Sequence, residues 1–245
     1  MNTTPRSCWS GAARPFHPFG RGLFMLLSAL LLALPVPALA APGDLDPSFD
    51  GDGLVLTDFG GFESAGALVL QPDGKLVAAG YSATIDGSGF ALARYKPDGS
   101  LDRRFGDAGR VVTDLGRHDF PIALVLQPDG KLVLLGATTG ARTTLVRYSP
   151  DGQLDASFGI NGVVVTEARA AGALILQPDG KLVLGARPLA RFNVDGTLDT
   201  SFGVGGFAST ALPLSFTLRT GLALLPDGKL VAAGGNFAGT VQTHR

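Results

Sequence analysis

The sequence predicts an all-β fold, a β-propeller-like array of four-stranded antiparallel blades, on three observations. A nine-residue phrase typified by residues 67–75 occurs four times, and its prolines lie 48 to 56 residues apart. A fifteen-residue phrase typified by residues 92–106 alternates with it and occurs three times. No stretch after residue 40 has the periodicity of a helix. A period near fifty residues indicates an array of units, each too small to bury its own apolar face.

The first forty residues predict a cleavable signal peptide. Three arginines precede the apolar run 23–34, which is too short to span a bilayer. A small-residue site then places the cleavage between Ala40 and Ala41. A transmembrane anchor is the alternative, but two prolines interrupt the run directly after it. We therefore expect a secreted, periplasmic or cell-surface protein that keeps no membrane anchor once the signal is removed.

Composition narrows the partners of the mature chain. The single cysteine, Cys8, lies in the signal segment, so no disulfide, thiolate nucleophile or cysteine-ligated metal is expected. All 21 acidic residues but only 17 of the 20 basic ones follow residue 40, which gives the mature chain a formal charge of −4. A mildly acidic chain without a basic tract is a poor candidate for binding nucleic acid or an anionic membrane.

Each nine-residue phrase contains Pro-Asp-Gly, which predicts a hairpin turn between two apolar runs. The proline sets φ at the first corner, the aspartate tolerates the second, and the glycine supplies the positive φ of a bulged exit. These turns pair 67–71 with 75–79, 123–127 with 131–135, and 173–177 with 181–184. The structural turn residues are Asp73, Gly74, Asp129, Gly130, Asp179, Gly180, Asp227 and Gly228.

Two further strands complete each unit. A short apolar strand precedes the hairpin at 54–57, 110–113 or 163–166, and a strand that carries Arg-Tyr or Arg-Phe follows it. Four short strands per unit are typical of a propeller blade. A β-solenoid is the alternative, but tight hairpins favour up-and-down sheets. After the signal peptide (1–40), the array (41–245) divides into units at approximately 53–108, 109–161, 162–205 and 206–245.

The number of strands predicts an array that does not close. Three units are complete, and the fourth ends near Gly234 with only residues 236–245 to follow, which gives about three and a half repeats. Propellers usually need about four to eight blades, so a sheet edge or a blade face stays open. We expect either self-association through the open terminal blades or an open, curved array that looks shortened beside its relatives.

The two phrases together resemble the delta-60 repeat, a family found in bacterial secreted and cell-surface proteins. The resemblance rests on Leu-Gln-Pro-Asp-Gly-Lys-Leu followed by Ala-Arg-Tyr-x-Pro-Asp-Gly-x-Leu-Asp-x-x-Phe-Gly, and it covers residues 44–234. It implies a propeller architecture and a surface location, and it implies no common catalytic activity. The fourth copy departs from the pattern, because Leu225 replaces the glutamine and no Arg-Tyr strand follows it.

Three arginines and three phenylalanines recur in the second phrase. An arginine whose stem packs on a neighbouring blade, and whose fork meets a turn carboxylate, explains its place inside an apolar strand. The phenylalanines, each three residues after a turn aspartate, are expected to fill the space between blades. Ligand binding by the arginines at a central channel is the alternative. The residues are Arg94, Arg147, Arg191, Phe105, Phe158 and Phe202.

No catalytic, cofactor-binding or metal-binding residue is assigned. Residues 44–52 alternate aspartate and serine oxygens at a spacing that can wrap calcium, but the bidentate glutamate of such a site is missing. We therefore expect a solvated turn there and no cofactor. The mature histidines, His118 and His244, have no nucleophile or metal-ligand partner at a readable spacing.

Two functions follow from this pattern. The first is a non-enzymatic scaffold whose variable loops, 81–89, 137–142 and 236–245, bind an unknown protein or glycan. The alternative is a propeller-type hydrolase for a lactone or sugar, with carboxylates or a metal at the mouth of the channel. Clustering of the non-repeated polar residues would favour the hydrolase; these are Asp58, Glu63, Asp114, His118 and Glu167.

Overall fold

A computed structural model describes residues 43–84, 87–116, 119–138, 142–209, 220–235 and 241–244. The chain divides into two units, Met1–Asp44 and Leu45–Arg245, and the description concerns the second. The predicted signal peptide and its cleavage site at Ala40 and Ala41 lie outside the described residues. No helix of membrane-spanning length and apolarity occurs in the described ranges.

Fourteen strands make up the regular structure of these ranges. The first sheet contains β1 (Phe62–Leu70), β2 (Leu76–Thr84), β3 (Gly87–Tyr95) and β4 (Arg110–Thr113). The second contains β5 (Asp119–Leu126), β6 (Leu132–Thr138), β7 (Arg142–Tyr148), β8 (Val163–Leu176), β9 (Leu182–Arg187), β10 (Leu189–Phe192) and β11 (Phe207–Ala208). The third contains β12 (Thr220–Leu224), β13 (Leu230–Gly235) and β14 (Val241–His244). Within each sheet, strands that follow one another in sequence pair antiparallel. The three sheets contain four, seven and three strands.

The Pro-Asp-Gly turns form the predicted hairpins. In the first, Gln71 N–H donates to the Lys75 carbonyl oxygen (2.8 Å) and Gly74 N–H donates to the Gln71 carbonyl oxygen (2.9 Å). Asp73 Oδ1 accepts from Lys75 N–H at 3.2 Å. The other three hairpins repeat these bonds. The four turn glycines, Gly74, Gly130, Gly180 and Gly228, have φ between +81° and +84°, the region that a glycine enters without steric cost.

The short strand that precedes each hairpin was expected to belong to the same blade as that hairpin. In the second and third repeats it pairs instead with the blade before it. β4 pairs with β3, so it closes the sheet that precedes it along the chain. The first part of β8 pairs with β7 and its last part with β9, so this continuous strand joins two blades into the seven-stranded sheet. The expected unit boundary at 108/109 therefore falls within the first sheet. Each short outer strand pairs with the strand that precedes it along the chain. The sequence alone did not show whether it would pair with the preceding or the following strand.

The predicted strand at 54–57 was wrong. These residues carry the same short phrase as β4, but they have no strand assignment. In the first two sheets the equivalent strand bonds to the Arg-Tyr or Arg-Phe strand before it, and no described strand precedes residue 54. Without a neighbour to supply hydrogen bonds, extended chain is not a strand. Segment 54–57 nevertheless contacts the first blade, because Thr57 Oγ1 and the Tyr95 hydroxyl lie 2.6 Å apart.

The apolar core lies between blades. One buried cluster combines Val77 and Phe90 of the first blade with Leu132 and Tyr148 of the second. A second cluster combines residues of the second blade with β9 and β10 of the third. The strands β1, β5, β8 and β12, one from each unit, contact their neighbours in order along the array. Each blade is therefore stabilised mainly by the blades beside it, as expected for a repeat array.

The first blade exposes the face that its neighbours bury. Leu68 and Leu70 of β1 are 61% and 66% exposed, whereas Leu124 and Leu174, at the position of Leu68 in the next two repeats, are 7% and 8% exposed. Within the described residues, no ladder of hydrogen bonds connects the first sheet with the last. The predicted fold class is confirmed, since the chain forms an open, all-β, propeller-like array.

Candidate functional site

The recurring arginine lies where two consecutive blades meet, and we call this contact the joint. In the second blade, Arg147 Nε lies 2.8 Å from Asp155 Oδ2, and its side chain is 4% exposed. The guanidinium carbon lies 4.5 Å from the centre of the Phe158 ring. Its Nη1 donates across the joint to the carbonyl oxygen of Val194 in the third blade. The arginine thus binds its own blade and the next through one planar group.

The first blade repeats this joint. Arg94 Nε lies 3.0 Å from Asp102 Oδ2, and the guanidinium lies 4.6 Å from the centre of the Phe105 ring. Arg94 Nη1 donates to the Pro150 carbonyl oxygen of the second blade. The fork of each of these two arginines therefore meets the expected turn carboxylate and also bonds the next blade, and these contacts hold the guanidinium groups.

Backbone and aromatic contacts complete each joint. Gly106 N–H donates to the Asp151 carbonyl oxygen at 2.7 Å, and Gly159 N–H donates to the Asp195 carbonyl oxygen at 2.8 Å. A Cβ atom added at Gly152 would lie 2.9 Å from the Phe105 ring. The phenylalanine therefore fits under the next turn only because that turn carries a glycine.

The third blade carries the same residues without the next turn. Arg191 Nε lies 2.7 Å from Asp199 Oδ2, and its guanidinium lies 4.6 Å from the Phe202 ring centre. No described residue beyond this blade accepts a hydrogen bond from Arg191 or from Gly203 N–H. The Arg191 side chain is accordingly 20% exposed.

The lysine that follows each Pro-Asp-Gly turn of the first three repeats places a second cation beside the aspartate of the joint. Lys131 Nζ lies 3.2 Å from Asp155 Oδ2, and Lys75 and Lys181 reach Asp102 and Asp199 in the same way. Burial raises the pKa of Asp155, but hydrogen bonds from Ser157 and the cations Lys131 and Arg147 outweigh that effect and lower the pKa to about 2. The pKa of Asp199 is lowered as well, chiefly by its hydrogen bond from the Ser201 hydroxyl.

The acidic residues expected at a hydrolase site bind their own local backbone, and Asp58, Asp114 and Glu167 prove to hold equivalent positions in three repeats. Asp58 accepts from Gly60 N–H and Asp114 accepts from Gly116 N–H, both at 2.6 Å. Glu63 accepts from Gly61 N–H at 2.8 Å, and Glu167 is exposed. His118 lies outside the described residues. These contacts are turn contacts and do not unite the carboxylates in one site.

The aspartates of 44–52 act in the same local manner. Asp46 Oδ1 accepts from Ser48 N–H and Asp52 Oδ1 accepts from Leu54 N–H, both at 2.9 Å. The hydrogen bonds from Ser48 lower the pKa of Asp46. Across the described ranges, no group of three or more histidine, cysteine, aspartate or glutamate residues is arranged to hold a metal ion.

A basic cleft of about 850 Å³ lies beside the first blade. It opens between residues 50–57 and the segment 96–110 that follows β3. Among the described residues, its two lining carboxylates are Asp50 and Asp102, and its five lining cations are Lys75, Lys96, Arg103, Arg104 and Arg110. We call it the basic cleft. Its charge is opposite in sign to the formal net charge of the chain, which is −1.

Four of these cations have no counterpart in the other repeats. The positions of Lys96, Arg103, Arg104 and Arg110 are occupied by Ser149, Ala156, Ser157 and Val163 in the second phrase, and by Asn193, Thr200, Ser201 and Phe207 in the third. Sequence reasoning missed them because it followed what the phrases share. A position-by-position comparison of the three phrases would have separated these residues from the scaffold.

The charge of the joint makes a testable prediction about acid stability. A carboxylate whose pKa falls from 3.8 in the unfolded chain to about 2 in the fold stabilises the fold above pH 3.8, and this contribution is lost as the pH falls through 2. Asp155→Asn should therefore cost most at neutral pH. The difference in unfolding free energy between parent and variant should shrink by roughly 2 kcal/mol between about pH 6 and about pH 2, measured by urea titration.

The control is Asp129→Asn, which removes a carboxylate from the exposed turn of the same blade, where its side chain is 56% exposed. That variant should differ little from the parent at either pH. A cost of Asp155→Asn that stays constant over the whole range would contradict the assigned ion pair.

Comparisons with known proteins agree with the fold. A family model described as "Domain of unknown function (DUF5122) beta-propeller" matches residues 71–105, 127–158 and 177–202. Among solved structures, the chain is similar to a catalytically inactive virginiamycin B lyase from Staphylococcus aureus with quinupristin, at a TM-score of 0.50 and 12% identity. The similarity covers 77% of this chain and 57% of the lyase chain. No curated protein matches. The repeated matches and the open array of blades together support a β-propeller repeat architecture.

Proposed function

We propose that the chain is a secreted or surface-exposed, non-enzymatic repeat scaffold that binds a glycan or protein. The observation that carries the proposal is that recurring and non-recurring charged residues lie in different places. The recurring charges are held in joints, where Arg147, for example, contacts both Asp155 and the next blade. The non-recurring cations line the basic cleft instead. Residues that a scaffold does not need are the natural candidates for recognition.

The strand directions support a second variable surface. The hairpin turns lie at one end of the sheets, while the loops of 84–87 and 138–142 connect strands at the opposite end. The predicted loops 81–89, 137–142 and 236–245 are strand where they are described, because they contain the ends of β2, β3, β6 and β7 and all of β14. Their remaining residues lie outside the described ranges, so the proposed binding loops reduce to the short connections between these strands. A repeat scaffold can thus vary one end without changing the joints at the other.

The hydrolase alternative needs carboxylates that converge or a bound metal. Asp58, Glu63 and Asp114 each accept from backbone within two residues, and no described observation favours a reaction. The similarity to virginiamycin B lyase concerns the fold, since at 12% identity it carries no information about catalysis. The location rests on the predicted signal peptide, so it stays part of the proposal.

Binding without turnover is the first prediction of this proposal. The purified mature chain should bind a subset of a glycan array in a saturable manner, and it should release no product from a panel of lactone and glycoside substrates. Heat-unfolded protein is the control for nonspecific binding. Metal-independent or metal-dependent turnover of any member of the substrate panel would contradict the non-enzymatic assignment and favour the hydrolase.

Self-association through the terminal blades is also part of the proposal. In the first two sheets an outer strand bonds to the Arg-Tyr or Arg-Phe strand beside it. In the last sheet β14 occupies the place of the Arg-Tyr strand, and no outer strand pairs with it among the described strands. Segment 54–57 carries the phrase of an outer strand and has no strand partner. A second copy can therefore pair its segment 54–57 with β14 and bury Leu68 and Leu70 in a new joint.

The self-association prediction is tested by light scattering over a range of protein concentrations. The parent should form species larger than a monomer, and Leu68→Lys with Leu70→Lys should shift it to monomer because two charges would enter an apolar joint. The control is Val112→Lys with Val165→Lys, which alters outer-strand residues that are 56% and 57% exposed. A parent that is strictly monomeric, or a leucine variant that associates like the parent, would overturn this part of the proposal.

A further inference from the structure

We propose that the basic cleft binds an acidic glycan through the carboxylate or sulfate groups of its sugars. This inference rests on the proposed binding function and specifies its ligand. The cleft has the volume of a ligand site and is lined by Lys96, Arg103, Arg104 and Arg110, together with Lys75. Arginine forks bind carboxylate and sulfate oxygens in pairs, which gives orientation as well as attraction.

The charge of the cleft is not cancelled by its own carboxylates. Asp102 is already 3.0 Å from Arg94, a residue of the joint, and Lys75 is 2.6 Å from Asp73. Among the described residues, no ion pair within 4.0 Å involves Lys96, Arg103, Arg104 or Arg110, leaving Asp50 as the one remaining lining carboxylate. Four cations therefore face one uncommitted anion.

One of these cations is partly withdrawn from water. Arg110 is half-buried, and its Nε is buried without a hydrogen-bond partner. Its guanidinium forms no ion pair within 4.0 Å among the described residues, so its terminal nitrogens can bond a ligand oxygen. At the equivalent positions the chain has Val163 and Phe207, so the fold does not require an arginine there. Arg110 is thus better explained by a ligand than by the scaffold.

The shape and lining favour an acidic glycan over other anions. The cleft is open to solvent and is lined by five cations, a number that suits a ligand carrying several charges. Among the described residues no aromatic side chain lines the cleft, so it lacks the aromatic stacking platforms of single-stranded nucleic-acid sites. Ser100 and Thr57 also line the cleft. The Ser100 hydroxyl donates to Asp98 and the Thr57 hydroxyl is bonded to Tyr95, but each oxygen can still accept a hydrogen bond from a sugar hydroxyl.

The cleft variant replaces two arginines with the residues that the second blade carries. Arg103→Ala with Arg104→Ser converts these positions to the types of Ala156 and Ser157, which the same local fold accepts. The charge-matched control is Ala156→Glu with Thr200→Glu, which places two acids at exposed positions equivalent to Arg103 in the next two repeats. Both variants lower the net charge by two, and thermal melts verify that both are folded.

Binding is measured by calorimetry with three probes of similar length. These are a galacturonic acid tetramer, which carries carboxylates, a heparin tetrasaccharide, which carries sulfates, and neutral maltotetraose. The parent should bind at least one acidic probe and not the neutral one, and the affinity should fall with added salt. The cleft variant should weaken that binding by about tenfold or more, whereas the control should stay within about twofold of the parent.

Each result decides between the inference and the broader proposal. The acidic probe that binds more tightly identifies carboxylate or sulfate as the recognised group. Binding of neutral glycans alone, or equal losses in the cleft variant and the control, would overturn the acidic-glycan assignment and leave the binding scaffold intact. Equally tight binding of single-stranded DNA, lost in the same variant, would overturn it in favour of a general polyanion site. Turnover of a substrate would instead contradict the proposed function.

Discussion

The fold depends on the contact of one arginine with two blades. Arg94 and Arg147 each pair with an aspartate of their own blade, cover a phenylalanine ring, and donate to a carbonyl oxygen of the next blade. Burying such a charge is unfavourable unless it is paired, and a carbonyl oxygen of the next turn supplies one of its partners. Arg191, for which no described residue supplies that partner, is 20% exposed. The arginine therefore couples the stability of one blade to the position of the next.

This constraint explains which residues the repeats share. A blade of four short strands has too little apolar surface to be stable alone, and both buried clusters span two blades. The joint needs an arginine, an aspartate, a phenylalanine and a turn glycine in fixed relation, and these are the residues that recur. Positions outside the joint are free to differ, and in the first blade they supply the cations of the basic cleft. Under the proposed function, the architecture separates stability from recognition within one repeat.

Local chemistry made much of this fold predictable. The Pro-Asp-Gly turns could be assigned because Gly74 and its equivalents need a positive φ whatever surrounds them, and the hairpin register follows from the turn. The strand at 54–57 could not be judged in the same way, because a strand exists only with a partner, and partners are set by the tertiary fold. The continuity of β8 through both blades has the same cause. The basic cleft was missed since segments 50–57 and 96–110 are joined only in space.

Hydrogen exchange of three equivalent backbone amides tests the joint most directly. Gly106 N–H and Gly159 N–H donate across a joint, whereas Gly203 N–H has the same place in the third repeat and no described acceptor. The account predicts slow exchange of the first two amides and exchange faster by on the order of a hundredfold at Gly203, measured by NMR. Equal exchange rates at all three glycines would contradict the claim that the joints hold the blades together.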